Sequence, residues 1–379
     1  MRLGLIYPAS DPTSPKQWSG IPHALTRGLE SQGVDVVPIP YRLPWLVGRA
    51  LAAASRVGGR RGHLAHSSSL QAFVRTKALR TEVEAAGPLD CVLALGTDMY
   101  DLPTVVRDDV PTATFDDGTF AMFMRHADSD IRQAGFPQHD VDRWIERQRR
   151  ACRRANACLV STAWAARSMN EDYGVPQQRV HVVGMGHRPR LVASDGRDWS
   201  PPRLLFVGVD WQRKNGAAVV DSFQQLRGLY PQATLDVVGS HPPLDLPGVT
   251  GHGLLRRDHL AEQERLDRLF ERATMFVLPS LFDPSPIAYL EAASAGLPLI
   301  ATSQGGAQEL LGEASLVVDP WDGRALTEAM HQLADPKRAR CRGAVASAMA
   351  SRSTWQAVSG RIIESLEPTM DPRKAATRA

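Results

Sequence analysis

Short apolar runs of strand length alternate with helix-length segments along this chain, and they do so in two successive series. That pattern leaves few folds open, because parallel strands need long crossover connections and a helix is the usual one. The first series places strands over 3–7, 34–38, 91–95, 112–115, 157–161 and 180–183, with helices over 23–32, 69–86, 141–156 and 163–173. A second begins with strands at 203–207 and 234–238, a loop over 239–253, and strands at 275–279, 299–302 and 315–318. Its helices fall at 217–229, 259–272, 324–333 and 338–365. At 379 residues the chain exceeds one ordinary core, so the prediction is α/β: two Rossmann-like domains facing each other across a cleft. The expected boundaries are 1–186, a linker over 187–202, 203–350, a helix over 351–366 packing back toward the first domain, and a loose tail over 367–379.

Composition narrows the class. A net charge of +3 with 22% charged residues describes a folded, soluble chain. No run reaches the length of a membrane span, and the N-terminus enters a strand without the pattern of a signal peptide. Cys91, Cys152, Cys158 and Cys341 show no CxxC or metal-ligand spacing, which predicts reduced thiols in a cytoplasmic protein. The arginines of 141–156 read as a solvated helix face with Trp144, Ile145 and Ala151 inward, and no nucleic-acid partner is expected. Residues 42–66 mix arginines with Trp45, Leu46 and Leu51, as a helix packed on the core or one lying on a membrane would; peripheral membrane contact stays open. Nothing in the sequence sets the oligomeric state.

The stretch 278–302, LPSLFDPSPIAYLEAASAGLPLIAT, carries the densest chemistry. It reads as strand, loop, helix and strand, with Ser285 able to cap, Pro286 at the first helical position and Gly296-Leu297-Pro298 as the stop. A helix starting just after a parallel strand aims unpaired N–H groups into the ligand crevice, where anions bind. Asp283 lies in that loop and Glu291 about a turn and a half inside the helix, facing the crevice or solvent. The plain alternative makes Asp283 a second cap and Glu291 an ordinary surface residue. Ser19-Gly20, between the first strand and helix, suits close approach to phosphate or a simple turn. Asp98 and Asp116 end strands and could face the crevice or cap the next element. Asp116 and Asp117 are adjacent on a strand end and so point apart, which argues against a metal pair.

Gly208, Lys214, Asp283, Glu291 and Gly305-Gly306 taken together resemble the retaining GT-B glycosyltransferases of glycosyltransferase family 4. The segments carrying the likeness include LLFVGVDWQRKNGAAVVDSF, LDVVGS, VTGHGLL and ATMFVLPSLFDPSPIAYLEAASAGLPLIATSQGGAQELL, and in the first half WSGIPHALTRGLESQGVDVVPIP. The resemblance covers most of residues 1–365 and is loose between about 40 and 110. It implies a GT-B fold and Lys214 on the donor diphosphate. Lysine occupies only five of the 44 basic positions, so its occurrence there is informative. The same resemblance implies Glu291 on the ribose, and Asp283 on the transferred sugar together with the backbone at Ser285, Pro286 and Ile287. Ser19 and Gly20 would meet the diphosphate, Gly208 would belong to the donor site, and the loop around 251–253, with His252 and Gly253, would pass the nucleobase.

Three departures stand out. Val209 replaces the arginine that often follows the glycine, so Arg213 would supply that charge. The first motif glutamate is shortened to Asp283, with Pro286 removing an N–H. The first-domain histidine is missing, and whether Asp116 takes its catalytic place is left open. The resemblance implies transfer of a sugar from a nucleoside diphosphate sugar, of UDP or GDP type, to a small-molecule, glycan or lipid-linked acceptor. Retention without metal or cofactor is expected. A nucleotide-sugar epimerase, a sugar phosphorylase and a catalytically silent nucleotide-sugar-binding subunit are the alternatives.

Overall fold

The computed structural model describes residues 1–43, 49, 68–190 and 196–370. Two compact units emerge: one from Met1–Ala127, Ile131–Val183 and the chain from Ser359, the other from Gly184–Val358 with Asp128–Asp130. In the first, β1 (Arg2–Ile6), β2 (Asp35–Ile39), β3 (Cys91–Ala94), β4 (Thr112–Asp116), β5 (Ala157–Val160) and β6 (Val180–Val182) form a sheet in the order β2-β1-β3-β4-β5-β6. Every pairing among them is parallel. Strand β1 pairs on one side with β2 and on the other with β3, so the winding reverses there. The loops leaving β1 and β3 therefore flank the place where such sheets bind ligands.

The second unit repeats the plan with β7 (Arg203–Val207), β8 (Thr234–Val238), β9 (Val249–Gly251), β10 (Met275–Leu278), β11 (Leu299–Thr302) and β12 (Ser315–Val318), in the order β12-β11-β10-β7-β8-β9. Its reversal falls between β7 and β10, which sets the loop after β7 beside the loop after β10 although 69 residues separate Lys214 from Asp283. All residues of β3, β5, β10 and β11 are buried, as strands covered on both faces must be. Tyr289 ties this edge together: its hydroxyl donates to the Leu278 carbonyl and accepts from the Thr302 amide at 3.2 Å, joining the ends of β10 and β11 to the helix Ile287–Ser294.

The α/β class read from the sequence holds, and most strands fall within a residue of their expected bounds. Three readings are corrected. The loop expected over 239–253 contains β9, an edge strand recruited by hydrogen bonding to β8. The helix expected over 338–365 is two helices, Pro336–Ala350 and Trp355–Met370, the second matching the separate helix expected over 351–366, because Thr354 is extended and its hydroxyl accepts from the Ala357 amide at 3.2 Å as a cap. The second of these helices carries residues 367–370, so the expected loose tail is helical at its start. Of the stretch 42–66, only Arg42, Leu43 and Arg49 are among the described residues. The helix Gln138–Arg154 buries Val141, Trp144, Gln148 and Ala151 at three- and four-residue spacing and exposes much of its charge, as predicted. Among the described residues, no helix is long and apolar enough to cross a membrane.

Candidate functional site

The loop after β7 folds back on itself through Asp210. Its carbonyl accepts from the Lys214 amide at 2.9 Å and its carboxylate from the Arg213 amide at 3.1 Å. This turn lays the Lys214 stem across Gly208, where a Cβ would stand 2.8 Å from Lys214 Cγ. Any side chain at 208 would push the lysine away. The Lys214 ammonium donates to Asp283 Oδ2. Asp283 is 5% exposed and also accepts from the Ser280 hydroxyl at 3.4 Å. Arg213 completes the group: Nη1 donates to the Phe282 carbonyl at 3.0 Å and stands 4.0 Å from Asp283 Oδ2, while Nε lies 3.7 Å from Asp210. Burial lowers the Lys214 pKa, with the Asp283 carboxylate acting against that shift.

Gly305 and Gly306 support Asp283 from behind. The Gly306 amide donates to the Asp283 carbonyl at 3.2 Å, and Gly305, at φ +82°, lies so close that a Cβ would collide with that same carbonyl. Val209 points outward at 66% exposure, and Arg213 stands beside Lys214 as a second cation of the loop. The family resemblance assigns Lys214 and Asp283 to different parts of a ligand; the strand order makes them direct partners.

Capping of the next helix differs from expectation. Pro286, extended at φ −72° and ψ 96°, is the N-cap and Ile287 the first helical residue, so Ser285 does not cap and Pro286 is not at the first helical position. Pro286 lacks an N–H, and its carbonyl closes the first turn by accepting from Tyr289 at 3.1 Å. Glu291 lies inside, at 2% exposure, so it is not the ordinary surface residue of the plain alternative. Arg190 Nη2 donates to its Oε2 at 3.0 Å, whereas Oε1 makes no hydrogen bond and has Arg257 Nη1 at 3.6 Å. Neither arginine is singled out by the sequence; Arg190 sits in what reads as a plain linker.

His252 and Gly253 follow β9. Arg265 can only donate, so its 2.7 Å contact makes His252 Nδ1 an acceptor and leaves Nε2–H to donate to Asp236 Oδ1, also at 2.7 Å. The imidazole is therefore committed to an internal network that Arg272 joins at 2.6 Å. The loop backbone, by contrast, is held at the end of β8: the Gly253 carbonyl accepts from the Gly239 amide at 2.9 Å, and Gly239 packs against the Gly208 carbonyl so closely that a Cβ there would collide with it.

In the first unit, Trp18, Ser19 and Gly20 run at φ +37°, +56° and +81° directly before the helix Ile21–Glu30. Left-handed backbone at two non-glycine residues is costly and is held by packing, here of Trp18 on Tyr7 and Phe115 at ring separations of 6.3 and 6.2 Å. Asp116 ends β4 at 6% exposure. Gln148 Nε2 donates to its Oδ1 at 3.0 Å, and Oδ2 makes no hydrogen bond. The Gln148 amide cannot be reversed, since its Oε1 already accepts from the Phe120 amide at 2.9 Å and the Tyr173 hydroxyl at 2.6 Å. Burial pushes the Asp116 carboxyl up to about 8; the Gln148 bond opposes this, and Asp117 and Asp98 add to it. Asp98 itself is raised to about 6, again chiefly by burial. Sequence reading misses Gln148, whose only signal is its place on the buried stripe of its helix.

The sign of the Asp116 shift gives a stability prediction. The folded chain holds this proton to higher pH than the unfolded one. Its contribution is thus fully present below pH 4 and is lost as pH rises toward 8, by up to ~1.4 kcal/mol per unit. Asp116→Asn is expected to remove that slope. Melting temperatures of variant and parent should diverge in favour of the variant between pH 5 and 8; parallel curves would mean that Asp116 titrates normally.

The parallel sheet of the second unit thus gathers two cations and a buried carboxylate at its reversal point, the place where such sheets take ligands, with a second carboxylate in the adjoining helix. Residues 201–335, within the second unit, match the family model of glycosyl transferases group 1. Over 240 residues, 58% of this chain and 54% of the relative, the sequence is 27% identical to glycogen synthase of Mycobacterium tuberculosis. It is 30% identical over 210 residues, 51% of each chain, to the GDP-mannose-dependent alpha-(1-6)-phosphatidylinositol monomannoside mannosyltransferase of Mycolicibacterium smegmatis. The chain thus spans about half the length of these curated relatives. Sucrose-phosphate synthase from Thermosynechococcus elongatus superimposes with a TM-score of 0.68 over 100% of both chains at 18% identity. The fold is that of GT-B glycosyltransferases.

Proposed function

We propose that this protein transfers a sugar from a nucleoside diphosphate sugar, of UDP or GDP type, to an acceptor hydroxyl with retention of anomeric configuration and without a metal ion. The observation that carries the proposal is the joining of Lys214, Arg213 and Asp283 at the reversal point of the sheet whose sequence matches glycosyl transferases group 1. The Asp283 carboxylate opposes the lowering of the Lys214 pKa by burial and holds the ammonium at the reversal point. A diphosphate is a stronger partner, and its arrival would leave Asp283 oxygens for the hydroxyls of the transferred sugar.

In the reaction the bond from the anomeric carbon to the diphosphate oxygen breaks, and both its electrons leave with the diphosphate. Lys214, Arg213 and the amides opening the helix Ile287–Ser294 stabilise the charge that develops there. The acceptor oxygen bonds to the same face of the carbon, and its proton passes to the departing diphosphate. Glu291 would take the ribose, and the backbone at His252-Gly253 the base, since the imidazole is engaged elsewhere. In the first unit, the left-handed loop at Ser19-Gly20 would suit close approach of a phosphate. Asp116, protonated near neutrality, would donate a hydrogen bond to a substrate oxygen where a histidine commonly acts. The acceptor would be a small molecule, a glycan or a lipid-linked sugar, and the enzyme would work in the cytoplasm.

Incubation with UDP- and GDP-sugars and a panel of hydroxyl acceptors, read by NMR of the product's anomeric proton, tests this. Retained configuration and unchanged rates in EDTA are expected. Inverted product would refute the stereochemistry, and loss of activity in EDTA restored by a divalent ion would refute metal independence. Conversion of the nucleotide sugar with no acceptor present would point to an epimerase.

A further inference from the structure

We infer that Arg190 is a positioning residue that presents the Glu291 carboxylate to the ribose hydroxyls of the donor and so sets the preference for ribonucleotides. The inference rests on the nucleotide-sugar reading above. Arg190 lies between β6 and β7 and is 2% exposed. Its two terminal nitrogens reach two helices: Nη1 donates to Asp267 on Leu260–Arg272, and Nη2 to Glu291 Oε2 on Ile287–Ser294 at 3.0 Å. The guanidinium lies 5.0 Å above the Phe270 ring, and the Arg190 amide donates to the Ser294 hydroxyl at 2.9 Å. Planar stacking and a hydrogen bond on each side leave the fork one orientation.

The consequence falls on Glu291. With Oε2 fixed by Arg190, rotation of the carboxylate is prevented, and Oε1 is held as a buried acceptor with no hydrogen bond. Buried acceptors are normally satisfied, so an oxygen kept open by a rigid clamp is prepared for a donor from a ligand. Arg257, the other cation near Oε1, stands at 3.6 Å with a side chain 43% exposed, a long contact that a hydroxyl can displace. A ribose offers two adjacent hydroxyl donors. A deoxyribose offers one fewer and would leave the carboxylate underbonded, which is the situation that gives strong discrimination. Without Arg190 the carboxylate turns freely and the distinction between the two sugars fades.

The test compares the affinity of the full chain for UDP and GDP with that for their 2′-deoxy and 3′-deoxy forms, by calorimetry, in parent, Arg190→Lys, Arg190→Met, Asp267→Asn and Glu291→Gln. The parent is expected to favour the ribose form of at least one pair by about 10-fold. Glu291→Gln and Arg190→Met should narrow that to within about 3-fold, with Arg190→Lys between them, since lysine restores charge without the fork. Asp267→Asn keeps the Arg190–Glu291 pair while loosening its other side, so it still reports on the clamp should Arg190→Met fail to fold; partial loss of preference is expected. If Glu291→Gln abolishes the preference while folded Arg190 variants or Asp267→Asn keep it in full, the positioning role is overturned. A parent that binds ribose and deoxyribose forms equally overturns the ribose reading of Glu291 itself.

Discussion

Lys214→Ala is expected to lower turnover by about 10²–10³-fold, the usual cost of removing one group that stabilises developing negative charge in a partly dehydrated site. The effect should fall mainly on kcat, because the diphosphate acquires most of its charge as the sugar leaves. Some stability will be lost as well. Asp283, 5% exposed, would keep only the Ser280 hydroxyl at 3.4 Å and Arg213 at 4.0 Å, a deficit of about 1–3 kcal/mol. Steady-state kinetics beside a thermal melt separates the two effects. A folded variant with near-parental kcat would remove Lys214 from the leaving-group role.

Glu291→Ala should have the largest effect on stability. It removes one of the two carboxylates paired with buried Arg190, and breaking one side of a buried pair costs about 3–5 kcal/mol because the remaining charge has lost its counter-ion. Asp267 still faces the guanidinium, so the lower part of that range is expected. For a unit of this size, each kcal/mol corresponds to roughly 2–4 °C of melting temperature. Glu291→Gln, which retains an oxygen for Arg190, should lose much less. Equal melting temperatures for alanine variant and parent would show that the pair contributes nothing net.

Much of the frame is legible because parallel strands covered by helices are largely continuous apolar runs. β7, β8, β11 and β12 coincide with the runs at 203–207, 234–238, 299–302 and 315–318. β9 escapes notice since Val249–Gly251 is too short to signal itself and exists only through its bonds to β8. The contact between Lys214 and Asp283 is out of reach for another reason: it depends on β7 lying beside β10, and chain order does not reveal strand order. Arg190 and Gln148 are single polar residues outside any local pattern, and their partners lie 101 and 32 residues away. Features set by local chemistry, such as the proline near the start of the helix Ile287–Ser294, come through to within one residue. Those that require long-range packing do not.

The central claim is that the second unit binds a nucleoside diphosphate through Lys214 and Glu291. Thermal melts of parent, Lys214→Ala and Glu291→Gln with UDP, GDP, ADP and dTDP test it most directly, because a ligand that binds only the folded state stabilises by about 2.7 kcal/mol at 100 times its Kd. The account predicts that UDP or GDP raises the parent's melting temperature and that both variants lose most of that rise at equal nucleotide concentration. A parent indifferent to all four nucleotides, or variants stabilised as fully as the parent, would contradict it.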